Sequence, residues 1–211
     1  MDIEYVLPQD IEARSMEIIE AELGEIILPE KVAPIVKRVI HTSADFEYAR
    51  TLCFSEDAVS SALQALQQGA TIVTDTNMGL MGINSAGVQQ LGCQKYCFMA
   101  DAEVAKTAKE EGMTRAMAAI DKACHITTPL IFAIGNAPTA LLRLEEHIKC
   151  GRIKPALIIG VPVGFVNVVA AKERIMQCGV PFIVARGRKG GSPIAAAICN
   201  ALIYMLTRKT K

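Results

Sequence analysis

Three histidines, His41, His125 and His147, are the side chains of this sequence that trade protons near neutral pH. His41 is the best placed for acid–base work. Residues 30–41 carry Val32, Ile35, Val36, Val39 and Ile40, the i, i+3, i+4, i+7, i+8 stripe of a helix facing a core. At about 100° per residue His41 projects away from that stripe, and Arg38 lies one turn earlier on the same polar side. Asp45 would follow on that side if the helix ran on. Arginine offers a fixed cation to a carboxylate and histidine can give or take a proton. A plain solvated helix face has the same spacing. His125, in KACHITTP, falls at a helix end, where a cationic imidazole suits the helix dipole. His147, among charges in LEEHIKC, is expected to face solvent.

Two turns are suited to holding a ligand. In AIGNAPTAL, at 133–141, a strand ends at Gly135, Asn136 can cap the next helix, and Pro138 suits its first turn. In ARGRKGGSP, at 185–193, glycines let backbone approach a ligand, and the N–H groups of a helix start favour anions. Arg186, Arg188 and Lys189 add positive charge, so the turn suits a carboxylate or phosphate. A tight turn with solvated basic residues fits as well. Neither run is GxGxxG or GxxxxGK[ST], and no GxSxG elbow, HExxH helix or kinase set occurs. Asp75 and Asp101 each follow a candidate strand. Asp101 reads as a helix cap, and Asp75, at the ligand edge of the sheet, as the better site candidate.

These residues need a scaffold, and the apolar pattern supplies one. Short continuous apolar runs at 71–76, 95–99, 130–134, 156–160 and 182–185 read as buried parallel strands. Helices are expected over 56–68, 137–149, 166–177 and 192–208, the first three with Gly69, Gly151 and Gly179 just past their ends. The last would close on basic residues that suit its negative end. Before them lie a helix capped by Asp10 and running to about residue 22, and the helix at 30–41. With no linker or repeat, the expectation is one α/β domain over 1–211. It would be doubly wound, with a mainly parallel sheet flanked by helices and a helical N-terminal segment.

Composition narrows the chemistry further. Lys plus Arg and Asp plus Glu each count 22, so no whole-protein field draws in nucleic acid or an anionic membrane. An anionic substrate would need local basic groups. Aromatics are only 5% and Trp is absent, which argues against base stacking. The seven cysteines form no CxxC pair and no metal-ligand spacing; they are expected to be reduced, mostly buried thiols of a cytoplasmic protein. The start MDIEYVLPQD is acidic and lacks the apolar run of a secretory signal, and no apolar stretch approaches the ~20 residues of a membrane span.

Nearly end to end, the chain resembles the precorrin-8X methylmutase (precorrin isomerase) family of cobalamin biosynthesis. The resemblance rests on RSMEII at 14–19, RVIHT at 38–42, Thr114–Arg115, GNAPTAL at 135–141, IGVPVGFV at 159–166 and GRKGGS at 187–192. It implies a Rossmann-like fold and a homodimer with active sites near the subunit interface. The implied reaction is a methyl shift from C-11 to C-12 of a corrin precursor, with no separate organic cofactor and no protein-bound metal. It implies that His41 is the acid/base residue, and that Ser15, Arg38, Arg14 and Thr42 border the substrate. Arg115, Asn136, Arg188, Lys189, Gly190 and Ser192 carry over less directly. Two other readings remain beside it: a nucleotide- or phosphosugar-binding enzyme using the 187–192 turn, and a tetrapyrrole carrier without catalysis.

Overall fold

The computed structural model describes residues 3–208, so the ends of the expected 1–211 domain lie outside the described residues. The chain opens with α1 (Ile11–Leu23), α2 (Ala33–Ser43) and the single turn α3 (Tyr48–Thr51), then β1 (Leu52–Phe54) and α4 (Ala58–Gln67). Next come β2 (Thr71–Thr74), α5 (Asn77–Gly82), α6 (Ser85–Gln90) and β3 (Gln94–Tyr96). A 3-10 turn over Phe98–Ala100 leads to α7 (Ala102–Glu110), α8 (Arg115–Ala123) and β4 (Leu130–Ile134). The chain closes with α9 (Pro138–Lys149), β5 (Leu157–Gly160), α10 (Val168–Ile175), β6 (Phe182–Ala185) and α11 (Ser192–Thr207).

The six strands form one sheet in the order β1-β6-β5-β4-β2-β3. All neighbours are parallel except β1, which runs antiparallel to β6 with Cys53 opposite Val184. β4, β5 and β2 are buried along their whole length, which explains their unbroken apolar sequences. Alternation along β4 divides the core. Ile131 and Ala133 join one cluster with α1, α2, α4 and α11; Leu130, Phe132 and Ile134 join the other with α8, α9 and α10. The Ala- and Ile-rich α11 is the main cover of the first face, burying Ile194, Ala195, Ile198, Leu202 and Ile203.

The doubly wound α/β expectation holds, with local differences. β1 has only three residues on a sheet edge, too few to show a pattern. The strand expected at 95–99 is Gln94–Tyr96, because the edge position leaves it half exposed and the chain turns at Cys97. Asp10 and Asp101 stand at N-cap positions without a side-chain cap bond; Asp101 pairs with Lys122 at 2.9 Å instead. Helix α11 has no basic residue in its last turn; Arg208 follows it and bonds Glu12 at 2.8 Å. All seven cysteines are free, but only Cys93 and Cys199 are buried and Cys150 is exposed. None of the helices is long and apolar enough to cross a membrane, among the described residues.

Candidate active site

The crossover from β2 goes outward to β3, and the next strand, β4, returns to the other side of β2. The carboxyl ends of β2 and β4 therefore flank the point where strand order reverses, where open α/β sheets bind ligands. Asp75, just past β2, ties this crevice together. Its Oδ1 accepts the Gly135 N–H at 2.8 Å, and its Oδ2 accepts those of Asn136 at 2.8 Å and Ala137 at 2.6 Å. Burial pushes the Asp75 carboxyl up and the three N–H groups pull against that, with burial prevailing. So fully engaged a carboxylate shapes the GNAP turn rather than meeting a ligand. Asn136 does not cap α9: Ala137 holds that position, and the Asn136 side chain is left exposed.

The second turn packs against the first. A Cβ on Gly135 would lie 2.7 Å from both the Cα and N of Ser192, so only glycine admits this approach. Gly190 has φ 156°, and a Cβ there would fall 2.0 Å from the Val161 carbonyl oxygen. Gly191 N donates to that same carbonyl at 2.8 Å. Ser192 is buried, its hydroxyl 2.7 Å from that of Thr76. It joins two sheet-edge loops.

The charges of the turn are not equivalent. Lys189 is held at 2.7 Å by both Asp45 and Glu47, which push its pKa up. Lys189 in turn holds Asp45 below the usual carboxylate range. Asp45 can reach it because Ala44 turns left-handed (φ 52°) and ends α2, so Asp45 does not continue the His41 face. Arg186 pairs with Glu173 at 3.3 Å. Arg188 has no carboxylate partner among the described residues and lies over the ring of Phe165, 5.3 Å from its centroid.

The end of α2 meets this turn. A cavity of about 400 Å³ is lined by Thr42, Ser43 and Tyr48 on one side and by Val163, Lys189 and Gly190 on the other. His41, one residue before Thr42, is exposed and makes no side-chain hydrogen bond among the described residues. Thr42 itself bonds back to the Arg38 carbonyl at 2.9 Å. One turn earlier, Arg38 is half-buried, bonded to Glu12 and stacked over Tyr204 at 5.3 Å. The Arg38 guanidinium beside Glu12, helped by Arg208, holds that carboxyl down to about 2 despite partial burial. Ser15, one turn beyond Glu12 on α1, bonds the Ile11 carbonyl at 2.8 Å, and Arg14 pairs with Glu4 at 2.8 Å and Glu17 at 3.2 Å.

The model of the precorrin-8X methylmutase family matches residues 10–205. The chain belongs to that family. It is 41% identical to the cobalt-precorrin-8 methylmutase of Leptospira interrogans, with 96% of each chain covered. It is 42% identical to that of Salmonella typhimurium, covering 94% of this chain and 96% of the relative. Its structure resembles that of the precorrin-8x methyl mutase from Thermus thermophilus with a TM-score of 0.85, at 40% identity over 93% of this chain and 96% of the other. Membership makes the chain an enzyme of the isomerase class, which sets aside both the carrier and the nucleotide-enzyme readings.

Within this family member, the site residues named from sequence fall into groups. Thr42, Lys189 and Gly190 share the cavity beside His41, and Arg38 and Ser15 continue that surface along α2 and α1. Arg115 and Asn136 stand together elsewhere on the sheet's ligand edge. Thr114 donates to Thr139 at 3.0 Å, bringing the start of α8 to the start of α9, and both site side chains are exposed. His125 is exposed at the end of α8, outside the site. His147 does not face solvent: it is 3% exposed and bonds Asp121, which also takes two bonds from Arg143 at 2.7 and 2.8 Å. Burial raises the Asp121 carboxyl, but Arg143 and His147 outweigh it and hold it below its ordinary value.

Three roles escaped the sequence reading. Asp45 and Glu47 neutralise Lys189, which nothing short of the fold reveals. Lys172 is fully buried. It sits with Val168, Ala171 and Ile175 at the i, i+3, i+4, i+7 positions of the buried face of α10, a pattern the sequence does display.

Proposed function

We propose that the protein moves a methyl group from C-11 to C-12 of precorrin-8X, or of cobalt-precorrin-8, by an acid-assisted [1,5]-sigmatropic shift with His41 as the acid/base residue. The observation that carries this reading is the position of His41. Its imidazole is exposed near the end of α2, and the next residue, Thr42, lines a cavity that the Lys189–Gly190 turn also lines. The substrate is a conjugated ring fringed by carboxylates. Arg38, Arg115 and Arg188 give such an acid local cations on a chain of zero net charge.

A concerted methyl shift needs neither a nucleophile nor a resident metal. It needs the ring held in a reactive shape and one proton managed at the right atom. In this proposal His41 protonates the ring beside the migrating methyl, drains electron density from it and weakens the breaking bond. General acids of this kind contribute roughly 10²–10⁴ in rate, and positioning supplies much of the rest. No organic cofactor takes part, and the single domain works in the cytoplasm.

The proposal includes a homodimer with active sites near the interface. It is supported by exposed apolar side chains around the sheet's ligand edge: Phe165 at 80%, Val166 at 78% and Met81 at 79% exposure. Apolar groups clustered this way mark surfaces that are covered in use.

The test is incubation with precorrin-8X and, separately, with cobalt-precorrin-8, followed by NMR of the labelled methyl carbon. The reading expects the label on C-12 with at least one of the two. Bound ring with the label still on C-11 in both would overturn it.

A further inference from the structure

The shape of the 186–191 turn is set from beneath. Lys172, on α10, sends its Nζ up to the carbonyl oxygens of Gly187 and Lys189, each at 2.9 Å. The carbonyl between them, that of Arg188, accepts from Gly164 N at 3.1 Å. Three consecutive carbonyls are thus drawn onto protein donors. None of them is left to point at, and repel, an incoming carboxylate.

The ammonium that does this has no counter-ion. Lys172 is fully buried, yet no carboxylate pairs with it among the described residues. The charged groups on the elements around it are engaged elsewhere or are cations themselves. On α10, Glu173 pairs with Arg186, and Arg174 with Glu145 of α9. Within the turn, Lys189 holds both Asp45 and Glu47, two carboxylates to one ammonium, while Arg188 lies over Phe165. β6 carries no charged residue. An unpaired buried cation is costly to keep, because the interior does not screen it. The same poor screening lets its field reach an anion seated on the turn.

We propose that Lys172 is a positioning residue for the carboxylated ring: it turns the 187–189 carbonyls away from the substrate and places an unscreened positive charge under the turn that receives a ring carboxylate. This rests on the reading of the site as a tetrapyrrole-acid isomerase. Lys172 does not touch the reacting atoms; it acts through the turn.

Two consequences separate this from a purely structural lysine. A buried ammonium without a partner loses its proton easily, and burial lowers the Lys172 pKa to about 8. The neutral amine can still donate to both carbonyls, so raising the pH through 8 removes the charge and keeps the clamp. A bound carboxylate favours the charged form, so ring binding should raise that pKa, and affinity should fall as pH rises past 8.

The experiment measures KM and kcat for isomerisation, and affinity for the product acid by absorbance, from pH 6.5 to 9.5 in wild type and Lys172→Met. Turnover by wild type checks the underlying reading separately. The proposal expects KM in Lys172→Met raised about tenfold or more with kcat within about threefold. It also expects wild-type affinity to fall about tenfold between pH 7 and 9.5, equal to about one pKa unit of coupling, with a flat profile in the variant. Identical pH profiles in the two proteins would overturn it, as would an unchanged KM. A variant too unstable to assay leaves a wild-type measurement: 13C NMR of the Lys172 Cε, told apart from that of Lys95, whose pKa burial also lowers, should show a low midpoint raised by product acid. A midpoint that ignores the acid would overturn the proposal.

Discussion

The hydroxyls of Thr76 and Ser192 lie 2.7 Å apart, joining the loop after β2 to the first residue of α11 across 116 positions of sequence. Thr76 Oγ1 also accepts the Gly79 N–H at 3.0 Å and so caps α5. The two loops that frame the sheet's ligand edge are thereby fixed to each other. Thr76→Val removes one hydroxyl and strands the other in a buried setting, a loss of about 1–3 kcal/mol. Urea denaturation should show this fall in stability, and Ser192→Ala should show a similar one. If Ser192→Ala left stability unchanged and weakened only substrate binding, Ser192 would be a contact residue and not a strut.

Asp75 should matter more. Its two oxygens take three backbone N–H bonds, and an amide in its place turns an NH2 group toward donors. Asp75→Asn should lose about 1.5–3 kcal/mol or more, the scale of a hydrogen bond to a charged group. Amide exchange of Gly135 and Asn136 should accelerate. Slow exchange at both positions in the variant would show that the turn holds its shape without the carboxylate.

The scaffold was readable in the sequence because each buried strand is a continuous apolar run and each covering helix shows its stripe. β4 and β6 lie where the pattern places them, at Leu130–Ile134 and Phe182–Ala185. The edges were less readable: β1 is too short for any period, and β3, expected at 95–99, is Gln94–Tyr96 because the chain turns at Cys97. In the site, His41 was legible from its place opposite the apolar stripe of α2. The charge state of the turn was not, because Lys189 is neutralised by residues more than 140 positions away. His147 misled for the same reason: its local neighbours are charged, but its burial is decided by Asp121 and Arg143 on packed helices.

That neutralisation separates two adjacent basic residues. Arg188→Ala should weaken binding of the ring acid several-fold, more at low salt, since its charge meets no carboxylate among the described residues. Lys189→Ala should weaken it less, because Asp45 and Glu47 already offset that charge. Absorbance titration with product acid at two ionic strengths checks the ranking. A larger loss from Lys189→Ala would mean that substrate displaces the two acids and takes Lys189 for itself.

The contact between Arg38 and Glu12 has a defined acid limit. Glu12 titrates at about 2 when folded and near 4.5 when free, so its contribution is fully present above 4.5 and is lost as pH falls through 2. The pair is partly exposed, which keeps its worth to about 1 kcal/mol or less. Amide protection factors in α1, corrected for the intrinsic pH dependence of exchange, should therefore stay high at pH 5 and fall in more acidic solution or in Glu12→Gln. Equal α1 protection in Glu12→Gln and wild type at neutral pH would show that α1 is held by its apolar contacts alone.

The imidazole at the end of α2 is the group assigned the proton transfer, and His41→Ala measures its part most directly. The side chain is exposed and makes no hydrogen bond among the described residues, so the variant should fold with an unchanged melting temperature and bind product acid with near-normal affinity. Single-turnover NMR of the labelled methyl should then show migration slowed by about 10²–10⁴-fold. Migration at the wild-type rate in a folded, ring-binding His41→Ala protein would contradict the assignment of the proton transfer to this residue.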